Sequence, residues 1–410
     1  MIEFKKHVLN NGLKLIVHKD KSTPVVAFNL LYNVGARDEN PNRTGFAHLF
    51  EHLMFGGSKH IPNFDKPLQK AGGENNAFTS NDITNYYITI PKNNLETAFW
   101  LDSDRMMELA FSPKSLEVQR NVVIEEFKQR YLNQPYGDVW LHLRPLAYKK
   151  HPYQWPTIGK EIKHIEDANL SEVKSFFYKF YRPNNAVLSI AGDVDFNEMV
   201  ALTEKWFGDI PKGEIPIRNY PKEPKQKEYR LLKLERDVPA NAIYMAFHMV
   251  DRLNPDYYVF DLISDVLSNG QSSRLYNKLI KEKKYFSEIQ AYVTGSFDDG
   301  LLVISGKLND NIDFATAELA VWDELSELEK IKEEELQKVK NKVESALVFS
   351  EVNVLNKAMT LAVFETLGNA DWANDEPRKY QNVSIERFKK IAKDTFIKDN
   401  CSVLHYYAKK

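Results

Sequence analysis

An approximate internal repeat is the feature of this sequence that most restricts its fold. The segment LSEVKSFFYKFYRPNNAVLSIAG (170–192) closes the first half of the chain, and VSIERFKKIAKDTFIKDNCSVLHYYA (383–408) closes the second. Each is typical of an amphipathic helix, a turn that contains an asparagine (Asn185 and Asn400) and a final strand. A chain built from two copies of one α/β pattern is predicted to form two similar domains.

A second pair of segments supports the repeat. HLFEHLMFGG in the first half has a counterpart in DLISDVLSNG (261–270), and both end in glycine. Matching the final glycines aligns three polar side chains in each segment: His48, Glu51 and His52 in the first, and Asp261, Ser264 and Asp265 in the second. The sequence therefore predicts a duplication in which only the first copy carries candidate metal ligands.

Length and composition exclude several classes of protein. At 410 residues the chain is longer than one hydrophobic core usually supports, which agrees with two domains. A net charge of −2 provides no basic excess for a phosphate backbone, so nucleic acid is not expected as a partner. The one cysteine, Cys401, excludes an internal disulfide and a cysteine-based metal cluster.

The sequence has no apolar run long enough to cross a bilayer, and its N-terminus MIEFKKHVLN lacks the apolar core of a signal peptide. We therefore expect a cytoplasmic protein with no membrane partner, and a periplasmic location stays open if a leader has been removed. Residues 211–228 contain four prolines and many charges without an apolar period. They predict a linker, with low-complexity disorder as the alternative.

The segment FAHLFEHLMFGG contains H-x-x-E-H, formed by His48, Glu51 and His52. Residues three and four apart share one face of a helix, so both imidazoles can reach a common ion. Zinc binds two imidazoles and a carboxylate oxygen, and a catalytic site leaves a fourth position for water. Glu51 is well placed in sequence to accept a proton from that water. The motif therefore predicts a zinc site that needs one further carboxylate ligand.

The helix predicted to begin at Ser112-Pro113 offers this carboxylate. Its segment RNVVIEEF sets Glu125 and Glu126 among apolar residues. Neighbouring residues on a helix point about 100° apart, so one acid can face solvent while the other turns inward, where a cation offsets its charge. Spacing alone does not say which of the two is the ligand.

These motifs together resemble the pitrilysin family of zinc peptidases, whose signature is the inverted H-x-x-E-H motif. That family includes insulin-degrading enzyme and the mitochondrial processing peptidase, and the chain is similar to the zinc-bearing, catalytic subunit of a processing-peptidase-like bacterial member. The matching segments lie between residues 36 and 195: ARDENPNRTGFAHLFEHLMFGGS, GGENNAFTSNDITNYYITIP, RNVVIEEF, HPYQWPTIG and YRPNNAVLSIAGDVD.

The resemblance implies roles for individual residues. It assigns four positions to the zinc site, with His48, His52 and Glu126 as ligands and Glu51 as the general base. Asn76 and Ala77 fall where the family has an exposed strand edge, to which a substrate peptide adds through main-chain hydrogen bonds. For Asn76, a turn residue without substrate contact is the alternative.

The fold implied by the resemblance is α+β. It consists of two homologous α/β sandwich domains, each a mostly antiparallel sheet packed with helices, and two chains or one doubled chain enclose a chamber like a clamshell. On this sequence we expect the zinc-binding domain over 1–215, a linker over 216–228 and a homologous domain without metal ligands over 229–410.

The sequence departs from the family at two places. Gln119 stands seven residues before Glu126, where the family usually has a supporting glutamate, and an amide there predicts weaker zinc binding. In the second half, Ile280 and Ser287 replace an arginine and a tyrosine that hold the substrate carbonyl. We therefore expect a heterodimer in which a homologous second subunit supplies the Arg/Tyr pair. A homodimer that uses Tyr285 is the alternative.

Two functional hypotheses follow. The first is a zinc-dependent endopeptidase that hydrolyses peptides or unfolded segments, as the catalytic subunit of a two-subunit peptidase. The second is a non-catalytic structural or binding subunit of a complex built on the same fold. The missing Arg/Tyr pair favours the second hypothesis, whereas the retained H-x-x-E-H motif and Glu126 favour the first.

Overall fold

The computed structural model describes residues 1–409, which form two compact units. Unit 1 comprises Met1–Arg130, Trp155–Tyr220 and Val348–Asp375, and unit 2 comprises Tyr131–Gln154, Pro221–Leu347 and the chain from Glu376 onward. Each unit contains one sheet packed by helices, which confirms the predicted architecture of two similar α/β units.

The sheet of unit 1 has six strands. In chain order they are β1 (Lys5–Val8), β2 (Lys14–Lys19), β3 (Val25–Tyr32), β4 (Glu74–Thr79), β5 (Thr84–Pro91) and β6 (Ala186–Gly192). Their order across the sheet is β1-β2-β6-β3-β5-β4, and only the pair β2 and β6 is parallel. The strands β4 and β5 form an antiparallel hairpin.

The sheet of unit 2 repeats this topology. Its strands are β7 (Arg230–Arg236), β8 (Ala242–His248), β9 (Phe286–Val293), β10 (Leu301–Leu308) and β11 (Cys401–Ala408). Their order is β7-β11-β8-β10-β9, and only β7 and β11 are parallel. These five strands therefore correspond one for one to β2–β6 of unit 1, as the sequence repeat predicts.

Fourteen α-helices lie in residues 1–409. Those of the first half are α1 (Phe46–Leu53), α2 (Asp65–Lys70), α3 (Glu96–Met107), α4 (Pro113–Phe127), α5 (Val139–Ala147), α6 (Lys163–Glu166), α7 (Leu170–Phe180) and α8 (Phe196–Phe207). Those of the second half are α9 (Tyr257–Ser268), α10 (Phe314–Ser326), α11 (Glu333–Ser350), α12 (Val354–Leu367), α13 (Trp372–Gln381) and α14 (Ile385–Thr395). Two π-helical turns are also present, over Lys128–Leu132 and Tyr276–Glu282.

The two repeat asparagines make the same contacts in their own units. The Nδ2 of Asn185 donates hydrogen bonds to the carbonyl oxygens of Asn33, just after β3, and Phe180, the last residue of α7. The Nδ2 of Asn400 donates to the carbonyl oxygens of His248, at the end of β8, and Thr395, the last residue of α14. In both units the amide therefore joins the helix that precedes the final strand to a central strand.

Each sheet is also packed by a helix from the other half of the sequence. The helix α12 packs on β3 and β6 in unit 1, and α5 packs on β8 and β11 in unit 2. Small side chains allow the close approach of α12, where Ala27 and Ala191 meet Ala358. The compact units are consequently not contiguous in sequence, unlike the expected ranges 1–215 and 229–410, because the apolar faces of these two helices are buried by the sheet of the other half.

The segment between the two sheets has no helix or strand over residues 211–228. Specific hydrogen bonds hold it nonetheless. The Nε of Arg218 donates to Oδ1 of Asp38 over 3.0 Å, and the buried Gln226 donates to the carbonyl oxygen of Cys401 over 2.8 Å. These contacts hold the segment at Arg218 and at Gln226, and the linker stays a prediction.

No single helix in residues 1–409 has the length and the apolar composition needed to cross a membrane. The helices α11 and α12 meet those criteria only when taken as a pair, and that pair is bent by 110°.

Candidate metal centre

The H-x-x-E-H segment forms α1, because one side of this helix is apolar and buried. The ring of Phe50 stacks on Phe176 of α7, with 5.0 Å between the ring centroids. The helix is followed by Gly57, whose φ of 99° lies in the left-handed region that favours glycine. Five side chains of the helix are buried: Phe46, Ala47, Leu49, Phe50 and Leu53. The three polar residues of the motif lie on the half-buried side of the helix.

The side chains of His48, His52 and Glu126 converge. The Nε2 atoms of His48 and His52 lie 3.5 and 3.3 Å from Oε2 of Glu126, and one ligand atom from each residue lies within 4.8 Å of the others. Zinc holds nitrogen and oxygen ligands at about 2.0–2.2 Å, so the corners of its coordination tetrahedron are about 3.3–3.6 Å apart. The two nitrogen–oxygen separations fit an ion bound among these three side chains.

The orientation of α4 distinguishes between the two adjacent acids. This helix packs against α1, and its Val123 is fully buried. Glu126 points to the two histidines, whereas the side chain of Glu125 is 59% exposed and its Oε1 lies 2.7 Å from Nζ of Lys128. Of the two candidates that the helical period leaves open, only Glu126 joins the histidines.

Charges around the cluster favour the protonation states that a zinc ion needs. The guanidinium of Arg130 lies 2.8 Å from Oε1 of Glu126, which leaves Oε2 facing the histidines. A hydrogen bond with His52, together with the charges of His48 and Arg130, holds the pKa of Glu126 below its usual value. Burial lowers the pKa of His48 to about 4, although Glu126 acts to raise it. An ionised carboxylate and a neutral imidazole are the forms that bind metal.

Glu51 lies on the same helix but outside the three-residue cluster. Its Oε2 accepts a hydrogen bond from Oγ1 of Thr79 on β4, over 2.6 Å. Burial raises the pKa of Glu51, and the Thr79 hydrogen bond acts in the opposite direction. A half-buried carboxylate whose pKa is raised by burial is suited to proton transfer beside the cluster.

Asn76 and Ala77 lie on β4, an edge strand that pairs only with β5 in the described chain. The N–H of Ala77 donates to Oδ1 of Asn76 over 2.8 Å. Neither residue belongs to the histidine and glutamate cluster. Both residues nevertheless come two or three positions before Thr79 on the same strand, and the hydroxyl of Thr79 donates to the carboxylate of Glu51.

Gln119 lies on α4 about two turns before Glu126. Within residues 1–409 its amide makes no hydrogen bond to either histidine, and Nδ1 of His48 is buried without a partner. An acceptor on Nδ1 normally raises the basicity of a ligand histidine. The lack of one at His48 is consistent with the prediction of weaker zinc binding, which stays a prediction.

The positions at which an Arg/Tyr pair is missing have ordinary structural contacts. Ile280 and Tyr285 pack against the hydrophobic core of unit 2, and Ser287 is exposed on β9. Arg274 donates two hydrogen bonds to the carboxylate of Glu335, at 2.9 and 2.6 Å.

Three residues contact α1 or the cluster although the sequence did not predict a role for them: Thr79, Arg130 and Glu39. Arg130 follows Glu126 by four positions, and this spacing on a helix was a signal that could have found it. Thr79 lies in the segment GGENNAFTSNDITNYYITIP and had no signal of its own. Glu39 had no local signal, because its partners are main-chain N–H groups of α1 and the indole of Trp155.

Two family models together match most of this repeated α/β chain. Residues 14–161 match the model described as Insulinase (Peptidase family M16), and residues 167–343 match Peptidase M16 inactive domain. The chain belongs to the M16 peptidase family.

Individual relatives include proteins named as zinc proteases. The chain is 28% identical to the zinc protease PqqE of Helicobacter pylori, over 95% of this chain and 89% of that protein. It is 25% identical to the mitochondrial-processing peptidase subunit beta of Saccharomyces cerevisiae, over 95% of this chain and 86% of that protein. The crystal structure of a protease from Helicobacter pylori aligns with a TM-score of 0.94 at 27% identity, covering 99% of this chain and 100% of that one.

Proposed function

We propose that the protein is a zinc-dependent endopeptidase that hydrolyses peptides or unfolded segments, and that it is the catalytic subunit of a two-subunit peptidase. One observation carries the proposal. Two imidazole nitrogens converge on one carboxylate oxygen at 3.5 and 3.3 Å, while the carboxylate of Glu51 lies on the same helix outside that cluster.

His48, His52 and Glu126 are the residues that would hold zinc. When bound, zinc polarises a carbonyl group and lowers the pKa of water towards about 7. Arg130 keeps one oxygen of Glu126 engaged, so that the other stays directed at the histidines. The chain thus supplies two nitrogen donors and one oxygen donor that converge on one point.

Glu51 is the proposed general base. Its carboxylate takes a proton from the attacking water and later delivers it to the amine that leaves. The hydrogen bond from Thr79 fixes one oxygen of this carboxylate, so the other oxygen is available for proton transfer. Burial, which raises the pKa of Glu51, makes the carboxylate a stronger base than an exposed glutamate.

The free edge of β4 at Asn76 and Ala77 is the proposed substrate-binding strand. A peptide that pairs with this edge is recognised through its main chain, which predicts little side-chain selectivity. The side chain of Asn76 already accepts the N–H of Ala77, so a bound peptide has to replace that contact.

A homologous second subunit is the proposed source of the Arg/Tyr pair. Support comes from Ile280 and Ser287, which stand in the corresponding positions of this chain, and from a relative that is named as the beta subunit of a processing peptidase. A homodimer is the second possibility for assembly.

The test combines metal analysis with peptide cleavage on protein purified from a source that expresses its own partners. We expect about one zinc per chain, cleavage of an unstructured fluorogenic peptide that stops on chelation and returns with zinc, and a native mass above that of one chain. His48→Ala should lose both zinc and cleavage. Full activity of the isolated chain would contradict the two-subunit proposal while leaving the zinc peptidase in place.

A non-catalytic subunit is the second candidate, favoured by the absence of the Arg/Tyr pair from its expected positions. Protein that carries no zinc, and that cleaves nothing even with its partner present, would support this candidate against the first.

A further inference from the structure

We infer that Glu39 is a positioning residue of the candidate metal centre: it fixes the start of α1 and thereby the direction in which His48 presents its imidazole. The inference rests on the proposed zinc peptidase function. Its evidence is nevertheless separate. It is a hydrogen-bond network at the N-terminal end of α1, and none of the proposed zinc ligands takes part in that network.

Glu39 does the work of a helix cap from outside the helix. The residue that precedes α1 is Gly45, which has no side chain to cap the free N–H groups of the first turn. Both carboxyl oxygens of Glu39 take that role. Oε2 accepts the N–H of Gly45 over 2.9 Å, and Oε1 accepts the N–H of Ala47 over 2.8 Å.

The Glu39 side chain is itself held in place. It is only 6% exposed, and the indole N–H of the buried Trp155 donates to its Oε2 over 3.1 Å and to the carbonyl oxygen of Ala36 over 2.9 Å. Burial raises the pKa of this carboxyl to about 8, and the three N–H donors act in the opposite direction. Both oxygens therefore face N–H groups.

The backbone around Gly45 leaves the helix little room to move. Gly45 has a φ of 89°, and a Cβ atom there would lie 2.6 Å from the carbonyl oxygen of Ile158. The start of α1 thus lies close to the main chain at Ile158 and is hydrogen bonded to Glu39.

The position of His48 follows from these contacts. It comes directly after Ala47, whose N–H is bound to Glu39, and it is the third residue of the helix. Its Nε2 lies 3.5 Å from the carboxylate of Glu126. Because metal sites depend on ligand placement within a few tenths of an ångström, a small rotation at the start of α1 changes this site more than it changes the fold.

The test compares Glu39→Gln with a matched control. Glutamine keeps the size of the side chain but turns one acceptor oxygen into an NH2 group that faces an N–H donor. Asp195→Asn is the control, because Asp195 also accepts N–H groups at a helix start in unit 1, and its helix α8 carries no proposed site residue.

For Glu39→Gln we expect zinc affinity to fall about 10–100-fold, in the range seen when outer-sphere partners of metal ligands are lost. The visible absorption of the cobalt-substituted protein should change. The value of kcat should fall, whereas KM should stay within about twofold of the wild-type value. The control should match the wild type in all three. Trp155→Phe, which removes one donor to Glu39 and keeps an aromatic ring, should move the same readouts in the same direction by less.

The inference is overturned if Glu39→Gln and Trp155→Phe lower the melting temperature but leave zinc affinity and the cobalt spectrum unchanged, since Glu39 then only stabilises the fold. If Glu39→Gln does not fold, Trp155→Phe decides. Amide exchange of α1 in metal-free protein separates this failure from failure of the proposed function. It should be faster in Glu39→Gln even if the wild type binds no zinc, and unchanged exchange would refute the positioning role.

Discussion

The helices α1 and α9 occupy the same place in the two units, and their polar residues have different partners. Each helix follows the second strand of the repeated topology, and each is followed by a glycine with a left-handed φ, 99° at Gly57 and 92° at Gly270. In α1, two histidines converge on a carboxylate from α4. In α9, Asp261 accepts a hydrogen bond from the hydroxyl of Tyr380 over 2.5 Å, and Asp265 accepts one from Asn269 over 2.7 Å.

The helices that neighbour α1 and α9 also contribute different polar side chains. Where α4 contributes Glu126, its counterpart α11 contributes Lys342, whose Nζ donates to Oδ1 of Asn269 over 2.5 Å. Unit 2 therefore closes its polar cluster with protein hydrogen bonds, whereas the cluster in unit 1 brings donor atoms together in an arrangement that a cation would complete. The repeated scaffold forms in unit 2 without metal ligands, which indicates that the cluster is an addition to the scaffold and not a condition for folding.

Glu51→Gln should have the largest effect on this contrast. Replacing the proposed base by an amide of the same size should lower kcat for peptide hydrolysis about 10²–10⁴-fold and leave zinc content unchanged. Ser264→Ala at the corresponding position of α9 is the control and should leave turnover unchanged. Normal turnover in Glu51→Gln would refute the assignment of the base and remove the functional difference between the two helices.

Tyr380→Phe should affect only unit 2. It removes the hydroxyl that donates to Asp261, whose pKa is raised by burial, and leaves a buried carboxyl without that partner. We expect the free energy of unfolding in urea to fall by about 1–3 kcal/mol with zinc affinity unchanged. In an Asp261→Asn background the same change should cost less. A loss of zinc affinity would show that the two clusters are not independent.

Thr79→Val tests how Glu51 is held. In α9 the counterpart Ser264 donates within its own helix, to the carbonyl oxygen of Asp261 over 2.8 Å, whereas Glu51 depends on a hydroxyl from β4. Loss of that hydroxyl should lower kcat about 10-fold, or about 1.4 kcal/mol of activation free energy. Thr79→Ser should retain activity near that of the wild type. Equal activity of both variants would mean that the hydrogen bond does not position the base.

The smallest expected effect concerns the anchor of α5 in unit 2. Although burial acts to raise it, hydrogen bonds from His142, Tyr406 and Arg236 lower the pKa of Asp138 from 3.8 to about 2. A carboxyl with a lowered pKa in the folded state stabilises the fold above about pH 4, and this contribution is lost as the pH falls towards 2. We expect a loss of about 1–2 kcal/mol in unfolding free energy after solvent screening.

Urea unfolding between pH 5 and pH 2.5 measures this effect, with Asp138→Asn as the comparison. The difference in stability between the wild type and this variant should shrink as the pH falls. A difference that stays constant over the window would show that another group is responsible.

Local signals in the sequence predicted elements well where the chain carries its own boundary chemistry. The start of α4 is one case, because Oγ of Ser112 accepts the N–H of Ser115 over 3.0 Å and Pro113 needs no partner for its nitrogen. The repeat predicted two similar sheets for the same reason, since each copy carries its own helix, asparagine turn and strand.

Contacts between distant segments were beyond the reach of the sequence. A helical period shows that Glu125 and Glu126 point in different directions, but only the packing of α4 on α1 shows which acid turns inward. The same limit applies to Glu39, whose partners become neighbours only on folding. The helices α5 and α12 are a further case, because nothing in their own residues says which sheet buries them.

The helices α5 and α12 each pack on the sheet formed by the other half of the sequence, and this has a consequence for the order in which parts of the protein can fold during synthesis. A ribosome releases the six strands of unit 1 by residue 192, yet the helix that packs on β3 and β6 ends only at Leu367. Unit 1 is therefore incomplete while about 175 further residues are synthesised, and the surface of β3 and β6 on which α12 packs is not yet covered by that helix. A continuous piece of the gene that encodes residues 1–220 includes α5, which belongs to unit 2, and lacks α12, which belongs to unit 1.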